Sequence, residues 1–354
     1  MNVPKLRFKE FTDEWKQTPL KNIIYSNIIE APKPTTDYIR LGIRSHCKGT
    51  FHELVKIENI LSADKMYIVP KNNLILNITF AWEQAIAITD DNDEGKYISN
   101  RFPTFAFKDN QLPTFYKYII PQKRLKYDLN VASPGGAGRN RVLNKKLFLS
   151  IPVNIPLLKE QEKIAKFLTT VDKKITNLEN IITSLENQKK GLLQQIFSQK
   201  LRFKDKNGNN YPNWEKKKLE DISNITMGQS PDSDFVNTEK IGTPFLQGNA
   251  EFTNKYPIEK YWCTKPQKIA NPTDILLSVR APVGAINIAN KKFCIGRGLS
   301  AISFNCNKLF GKYNLEFNLF QLIKKSQGST FSSINKKDIS EVILFIPCLE
   351  EQKK

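Results

Sequence analysis

Between Glu160 and Gln199 the chain has no proline, and apolar residues fall at Ile164, Leu168, Val171, Ile175, Leu178, Ile182, Leu185, Leu192 and Ile196. The steps alternate between four and three residues, broken only where Lys189 takes a seam position, which is the period of a coiled-coil seam. One helix of about 40 residues is predicted, roughly 60 Å long at 1.5 Å per residue. Glu162, Lys166, Lys173, Lys174, Glu186 and Lys190 can keep its other faces solvated. Pro156 precedes the start, and Gly208 and Pro212 come after the end, as helix punctuation should. The bland alternative is a core helix of one globular domain, but so narrow a stripe needs a partner helix along its length, because propensity alone contributes little.

On either side the pattern shortens to β-type runs separated by polar loops. Leu74–Phe80 and Thr104–Phe107 stand before the helix, and Asp274–Val279, Gly284–Ile288 and Leu299–Phe304 after it, with a helix expected around Leu315–Lys325. The expected fold class is α+β, with two mixed domains in which strands outnumber helices, joined by the long coiled-coil-type helix.

The chain also repeats itself. Lys5-Leu6-Arg7-Phe8-Lys9 returns as Lys200-Leu201-Arg202-Phe203-Lys204, and each copy is followed by a tryptophan, Trp15 or Trp214. Asn144-Lys145-Lys146 returns as Asn335-Lys336-Lys337, and the stretch Ile155–Lys163 as Ile346–Lys354. Residues 24–143 and 223–334 show little resemblance to each other. The period is far longer than the 20 to 50 residues of a solenoid, so one scaffold used twice to present two surfaces is the simpler reading. The expected divisions are 1–156 and 201–345 for the two domains, 157–200 for the helix, and 346–354 for the truncated start of a second such helix.

Composition adds a partner. In 354 residues, 54 Lys+Arg against 35 Asp+Glu leave a formal charge of +19, which favours a polyanion and nucleic acid first. Incidental basicity is the bland alternative. No stretch approaches the roughly 20 apolar residues of a membrane span, and the amino terminus lacks the apolar core of a signal peptide, so a cytoplasmic location is expected. Five cysteines with no C-x-x-C pair indicate reduced thiols. His46, Cys47 and His52 lack a fourth ligand at finger-like spacing, and no metal site is expected.

Catalytic motifs are scarce. Asn271-Pro272-Thr273-Asp274 lacks the second proline and the stacking aromatic of an amino-methyltransferase motif. No phosphate loop is present. Glu94-Gly95-Lys96 has nuclease-like spacing, but Asp90–Gly95 reads more plainly as an acidic hairpin tip, and counted as a calcium loop it places Arg101 where a bidentate glutamate is required.

The double frame, the Ile155-Pro156-Leu157-Leu158-Lys159-Glu160-Gln161-Glu162-Lys163-Ile164-Ala165 stretch, the Leu-Arg-Phe exit, and the segments Leu277–Gly284 and Gly296–Ile302 together resemble the DNA specificity subunit of type I restriction-modification systems, over essentially the whole chain. The resemblance implies two target-recognition domains, each reading half of a split double-stranded DNA site. It implies two antiparallel helices that set the separation and dock the modification subunits. It also implies restriction subunits as further partners, a non-catalytic role for this chain, and no cofactor of its own, with S-adenosylmethionine, ATP and Mg expected in the partner subunits. The departure from the family is the distal helix, which begins after Ile346-Pro347 and is largely missing. The uncovered seam is therefore expected either to self-associate or to accept a helix from another chain. Within this reading the DNA contacts are expected from Arg40, Arg44 and Lys48, from Arg139 and Arg141 after a glycine-rich run, and from Gln247, Asn249, Arg280 and Arg297. Guanidinium groups can clasp phosphate or a guanine edge, and Gln and Asn can read adenine. The alternatives are a nuclease or methyltransferase with its own centre, and a coiled-coil scaffold.

Overall fold

The computed structural model describes residues 4–59, 65–136, 141–326 and 333–354. The chain runs through β1 (Lys16–Pro19), β2 (Ile24–Ser26), β3 (Ile29–Ala31), β4 (Tyr38–Ile43), β5 (Thr50–Val55), β6 (Met66–Ile68), β7 (Leu74–Leu76), β8 (Ile86–Ile88), β9 (Tyr97–Ile98) and β10 (Thr104–Phe107). Helices α1 (Pro113–Tyr116), α2 (Lys123–Val131) and α3 (Lys145–Ser150) precede β11 (Pro152–Ile155) and the long α4 (Leu158–Phe197). After β12 (Glu215–Lys218) and α5 (Leu219–Ile222) come β13 (Ser223–Met227), β14 (Val236–Asn237), β15 (Thr243–Leu246), β16 (Tyr261–Cys263), β17 (Ile269–Ala270), β18 (Ile275–Ser278), β19 (Ile286–Ile288), β20 (Phe293–Ile295) and β21 (Leu299–Phe304). The last elements are α6 (Lys308–Asn318), α7 (Phe320–Ser326), α8 (Lys336–Ser340) and β22 (Ile343–Ile346). Two compact units, Met1–Glu179 and Asn180–Lys354, divide the chain within α4.

The sequence repeats become a repeated frame. In each unit two short strands pair antiparallel, β1 with β11 and β12 with β22, starting from Lys16 opposite Ile155 and from Glu215 opposite Ile346. In β11 and β22 the buried Val153, Ile155, Leu344 and Ile346 alternate with the exposed Asn154 and Phe345, the period-two signature of a half-buried strand. The asparagine before each repeated Lys-Lys pair caps a helix: Asn144 Oδ1 accepts from Lys146 N at 3.0 Å, and Asn335 Oδ1 from Asp338 N at 3.1 Å.

A clasp closes each frame. Arg7 Nε and Nη2 donate to the two carboxylate oxygens of Glu160, both at 2.7 Å, and Trp15 Nε1 donates to the same carboxylate at 3.1 Å. In the second unit Arg202 donates to Glu351 at 3.1 and 2.7 Å, and Trp214 Nε1 donates at 3.1 Å. The bonded carboxylate raises the pKa of each arginine above its ordinary value. The next residue repeats as well. Gln161 Nε2 donates to Pro156 O at 3.0 Å while its Oε1 accepts from Leu112 N, and Gln352 does the same with Pro347 O at 2.8 Å and Asn307 N. Buried polar side chains need such partners, and here the repeated Glu and Gln residues find theirs within the frame and its neighbouring loop.

Between the frames the two fillings share a fold that their sequences conceal. Among the described residues each has nine strands in two sheets. The four-stranded sheets run β2-β10-β7-β8 and β13-β21-β18-β19, the same order when strands are counted along each unit. The five-stranded sheets run β3-β6-β9-β4-β5 and β14-β16-β15-β20-β17. Both contain a single parallel pair, β4 with β9 and β15 with β20. A difference lies in β3, which pairs with β6, whereas its counterpart β14 pairs with β16 at the other end of the sheet. One core per unit packs the framing elements onto the four-stranded sheet: Ile23, Leu76, Phe105 and Phe148 in the first, and Leu277, Ile302, Leu315 and Leu344 in the second.

Boundaries shifted where local polar chemistry intervened. The run from Leu74 leaves the sheet after Leu76, because Asn77 Oδ1 accepts from Thr79 N at 3.0 Å and turns the chain. The helix expected around Leu315–Lys325 is two helices, α6 beginning at Lys308 under an Asn307 cap, and then α7. The Asp90–Gly95 segment joins β8 of one sheet to β9 of the other and is not a hairpin tip. Its Asp93 is buried, accepting from Thr50 Oγ1 and lying 2.9 Å from His52 Nε2.

Candidate nucleic-acid interface

In the second unit the connections between strands converge through backbone hydrogen bonds. Gly228 N donates to Leu299 O and Gln229 N to Ile295 O, both at 2.9 Å, while Gly296 N donates to Leu246 O at 2.8 Å and Val279 N to Gly298 O at 3.0 Å. Arg297 N donates to Ser230 Oγ at 3.2 Å. Three of the expected residues, Gln247, Arg280 and Arg297, are thereby brought to one cluster of loops, and all three are exposed. Asn249 comes two residues after Gln247, at the start of a short 3-10 turn. The glycines make this approach possible: a Cβ on Gly228 would lie 2.2 Å from Gly296 O, and one on Gly298 would lie 2.7 Å from Gln247 O. Gln229 belongs to the same cluster but carries no sequence signal, because only the tertiary backbone contacts place it there.

The first unit treats its expected residues differently. Arg40 Nη2 is held by Glu53 across the β4–β5 pair at 2.7 Å. Arg44 donates to Thr50 O at 2.5 Å and lies 5.1 Å over the Phe51 ring. Arg141 donates to Ser133 O at 2.9 Å and Asn130 O at 2.7 Å, and its guanidinium stacks 5.1 Å from the centre of Trp82. Lys48 lies on the loop after β4, and Arg139 lies outside the described residues. That loop is tied to the turn after β7 through His46 N to Glu83 O at 2.7 Å and Cys47 N to Gln84 O at 2.9 Å. A cleft of about 440 Å³ opens beside it, where Lys123, Lys126 and Arg141 face a single carboxylate, Glu83. The α2 lysines were not among the expected contacts, because a basic run on a short helix looks like any solvated face.

Among the described residues no group of three or more His, Cys, Asp or Glu could hold a metal ion, and no helix is long and apolar enough to cross a membrane. Burial raises the Cys47 thiol to about 11, so it is protonated at neutral pH and a poor metal ligand or nucleophile.

The seam of α4 is covered at its ends and open between them. Ile164 packs on the first core, and Ile196 is partly buried beside Phe197, whose ring meets those of Trp214, Phe310 and Phe317. Leu168 is half-buried, whereas Val171 is 39% exposed, and Ile175, Leu178, Ile182, Leu185 and Leu192 are 49 to 57% exposed.

Two strand-rich α+β units are joined through one long helix, and comparison with known proteins supplies the family. The sequence profile of the "Type I restriction modification DNA specificity domain" matches residues 16–187 and again 211–354. The chain belongs to that family and is a DNA specificity subunit of a type I restriction-modification system, the non-catalytic subunit. It is 39% identical to the "Putative type I restriction enzyme MjaX specificity subunit" of Methanocaldococcus jannaschii, over 99% of this chain and 87% of that one. It is 24% identical to the MjaVIII specificity subunit of the same organism, over 91% and 76%. Among solved structures, one described as "Structural basis underlying complex assembly and conformational transition of the type I R-M system" superposes with a TM-score of 0.57 at 25% identity, covering 97% of this chain and 88% of that one. The type I S subunit from M. genitalium superposes at 0.61 with 13% identity, over 99% and 88%, a likeness of fold.

Proposed function

We propose that each unit reads one half of an asymmetric double-stranded DNA site and that α4 sets the distance between the halves. The observation that carries this reading is the repeated nine-strand plan bearing unlike loops on the two ends of one 40-residue helix. Shared architecture gives both units the same approach to a duplex, and unlike loops give them different sequences to read. The +19 charge supplies the sequence-independent part of the affinity, which should fall steeply with salt.

The open seam is the docking element. Each aliphatic fully buried there contributes roughly 1.5 to 3 kcal/mol, so a helix from a second copy or from another chain such as a modification subunit would be held firmly. Methyl transfer with S-adenosylmethionine, and cleavage with ATP and Mg, belong to the modification and restriction subunits. The test is to assemble the full chain with the modification subunits of its system and sequence the methylated DNA. A bipartite motif is the expected result. A continuous motif, or product formed by the purified chain alone with metal or methyl donor, would overturn the reading.

A further inference from the structure

The matched topology identifies reading residues in the first unit that the sequence did not offer. In the second unit Arg297 sits in a turn closed by Leu299 N to Gly296 O at 3.0 Å and anchored by Val279 N to Gly298 O at 3.0 Å. In the first unit Phe102 N donates to Ser99 O at 3.0 Å, and Ile78 N to Arg101 O at 3.0 Å. The surroundings agree: Asn77 N to Ala85 O matches Ser278 N to Ala285 O, and Leu143 N to Ile78 O matches Ile334 N to Val279 O. The turn Ser99–Phe102, between β9 and β10, is therefore the counterpart of Gly296–Leu299, between β20 and β21. Asn100 takes the place of Arg297, and Arg101 the place of Gly298.

Resting on the bipartite reading above, we propose that Asn100 and Arg101 are base-reading residues of the first unit. Three observations converge. Both side chains are exposed, and neither makes an ion pair or a side-chain hydrogen bond among the described residues. Arg40, Arg44 and Arg141 instead direct their guanidinium groups to acceptors of their own chain, and so must release those contacts before touching DNA. The turn itself is rigid, since Phe102 packs on the second-sheet core of Leu41, Ile75 and Ile98 and the backbone is pinned to Ile78. A free guanidinium fork on a pinned turn suits bidentate contact with O6 and N7 of guanine, and the neighbouring carboxamide suits an adenine edge.

The experiment uses the full chain assembled with its modification subunits, as wild type, Arg101→Ala, Arg101→Lys, Asn100→Ala and Arg297→Ala. Binding to the cognate duplex and to duplexes varied one base at a time is measured beside the methylated motif. Arg101→Ala should weaken cognate binding roughly 5- to 150-fold and relax one base position in one half-site. Arg101→Lys should not restore that position, because an ammonium lacks the fork, and Arg297→Ala should act on the other half alone. Equal weakening of Arg101→Ala on every duplex, or unchanged binding with an unchanged unfolding midpoint, would overturn the proposal while leaving the bipartite reading intact. A wild-type complex without a bipartite motif would remove both.

Discussion

The two units solve one architectural problem with different local chemistry. In the second, glycines at 228, 296 and 298 let three loops meet backbone to backbone, leaving Arg280 and Arg297 exposed. In the first, Asn27 N donates to Thr104 O where the chain leaves β2, and its side chain donates to Asn73 Oδ1 at 3.0 Å. Its rim instead turns arginines onto its own aromatic rings, Arg44 over Phe51 and Arg141 over Trp82. The switch of one strand adds to the contrast. The β14 strand covers β16, whereas β5 remains an edge with Phe51 and Leu54 exposed. Closely matched frames thus tolerate divergent rims, because the Arg-Trp-Glu clasps and framing strands form without any rim residue.

Segment exchange should have the largest effect on what the two units read. Replacing residues 24–143 with the equivalent segment of a relative should replace one half of the methylated motif entirely and leave the other untouched. A change in both halves would show that the units do not read independently.

A second test stretches the helix that joins the units. Four residues inserted near Ser184 lengthen α4 by about 6 Å, a little under two base-pair steps, and rotate the chain beyond the insertion by slightly more than one helical turn. In the assembled complex the gap between half-sites should lengthen while both half-site sequences persist. An unchanged gap in the sequenced motif would mean that α4 is not the ruler.

The equivalence of the clasps predicts matched losses. Glu351→Ala removes the acceptor of the buried Trp214 Nε1, costing about 1 to 3 kcal/mol for that donor alone, in addition to the loss of the Arg202 contacts. Glu160→Ala should destabilise the first unit in the same direction. Denaturant unfolding of the full chain should show each substitution lowering mainly the transition of its own unit, and a common effect on both would contradict separate frames.

The rim contrast gives the smallest effect and the finest discrimination. Gly228→Ala would force a Cβ to 2.2 Å from Gly296 O and should cost about 1 to 3 kcal/mol. Asn27→Ala, at the end of β2 in the first unit, loses one side-chain hydrogen bond and should cost about 0.5 to 1.5 kcal/mol. Equal costs in equilibrium unfolding would show that the close backbone approach in the second unit is not what holds its loops together.

The sequence by itself determined the frame, the helix and the family. A seam of alternating four- and three-residue steps needs no knowledge of neighbours, and α4 was legible to within two residues at each end, its exit marked by Gln199 at φ 59°. Repeated words such as Leu-Arg-Phe and Ile-Pro mark positions where the same framing contacts recur, so they persist in both copies. What these words do, closing on Glu160 and Glu351, only the fold revealed. Only the tertiary structure decided that the unlike fillings share nine strands in nearly one order. Backbone hydrogen bonds and alternating burial accept many side chains, so the same sheets carry little common sequence. For the same reason Asn100 and Arg101 were invisible as readers and Arg40 looked free: whether a cation faces a partner or open solvent depends on residues distant in the chain, and only the folded chain brings those together.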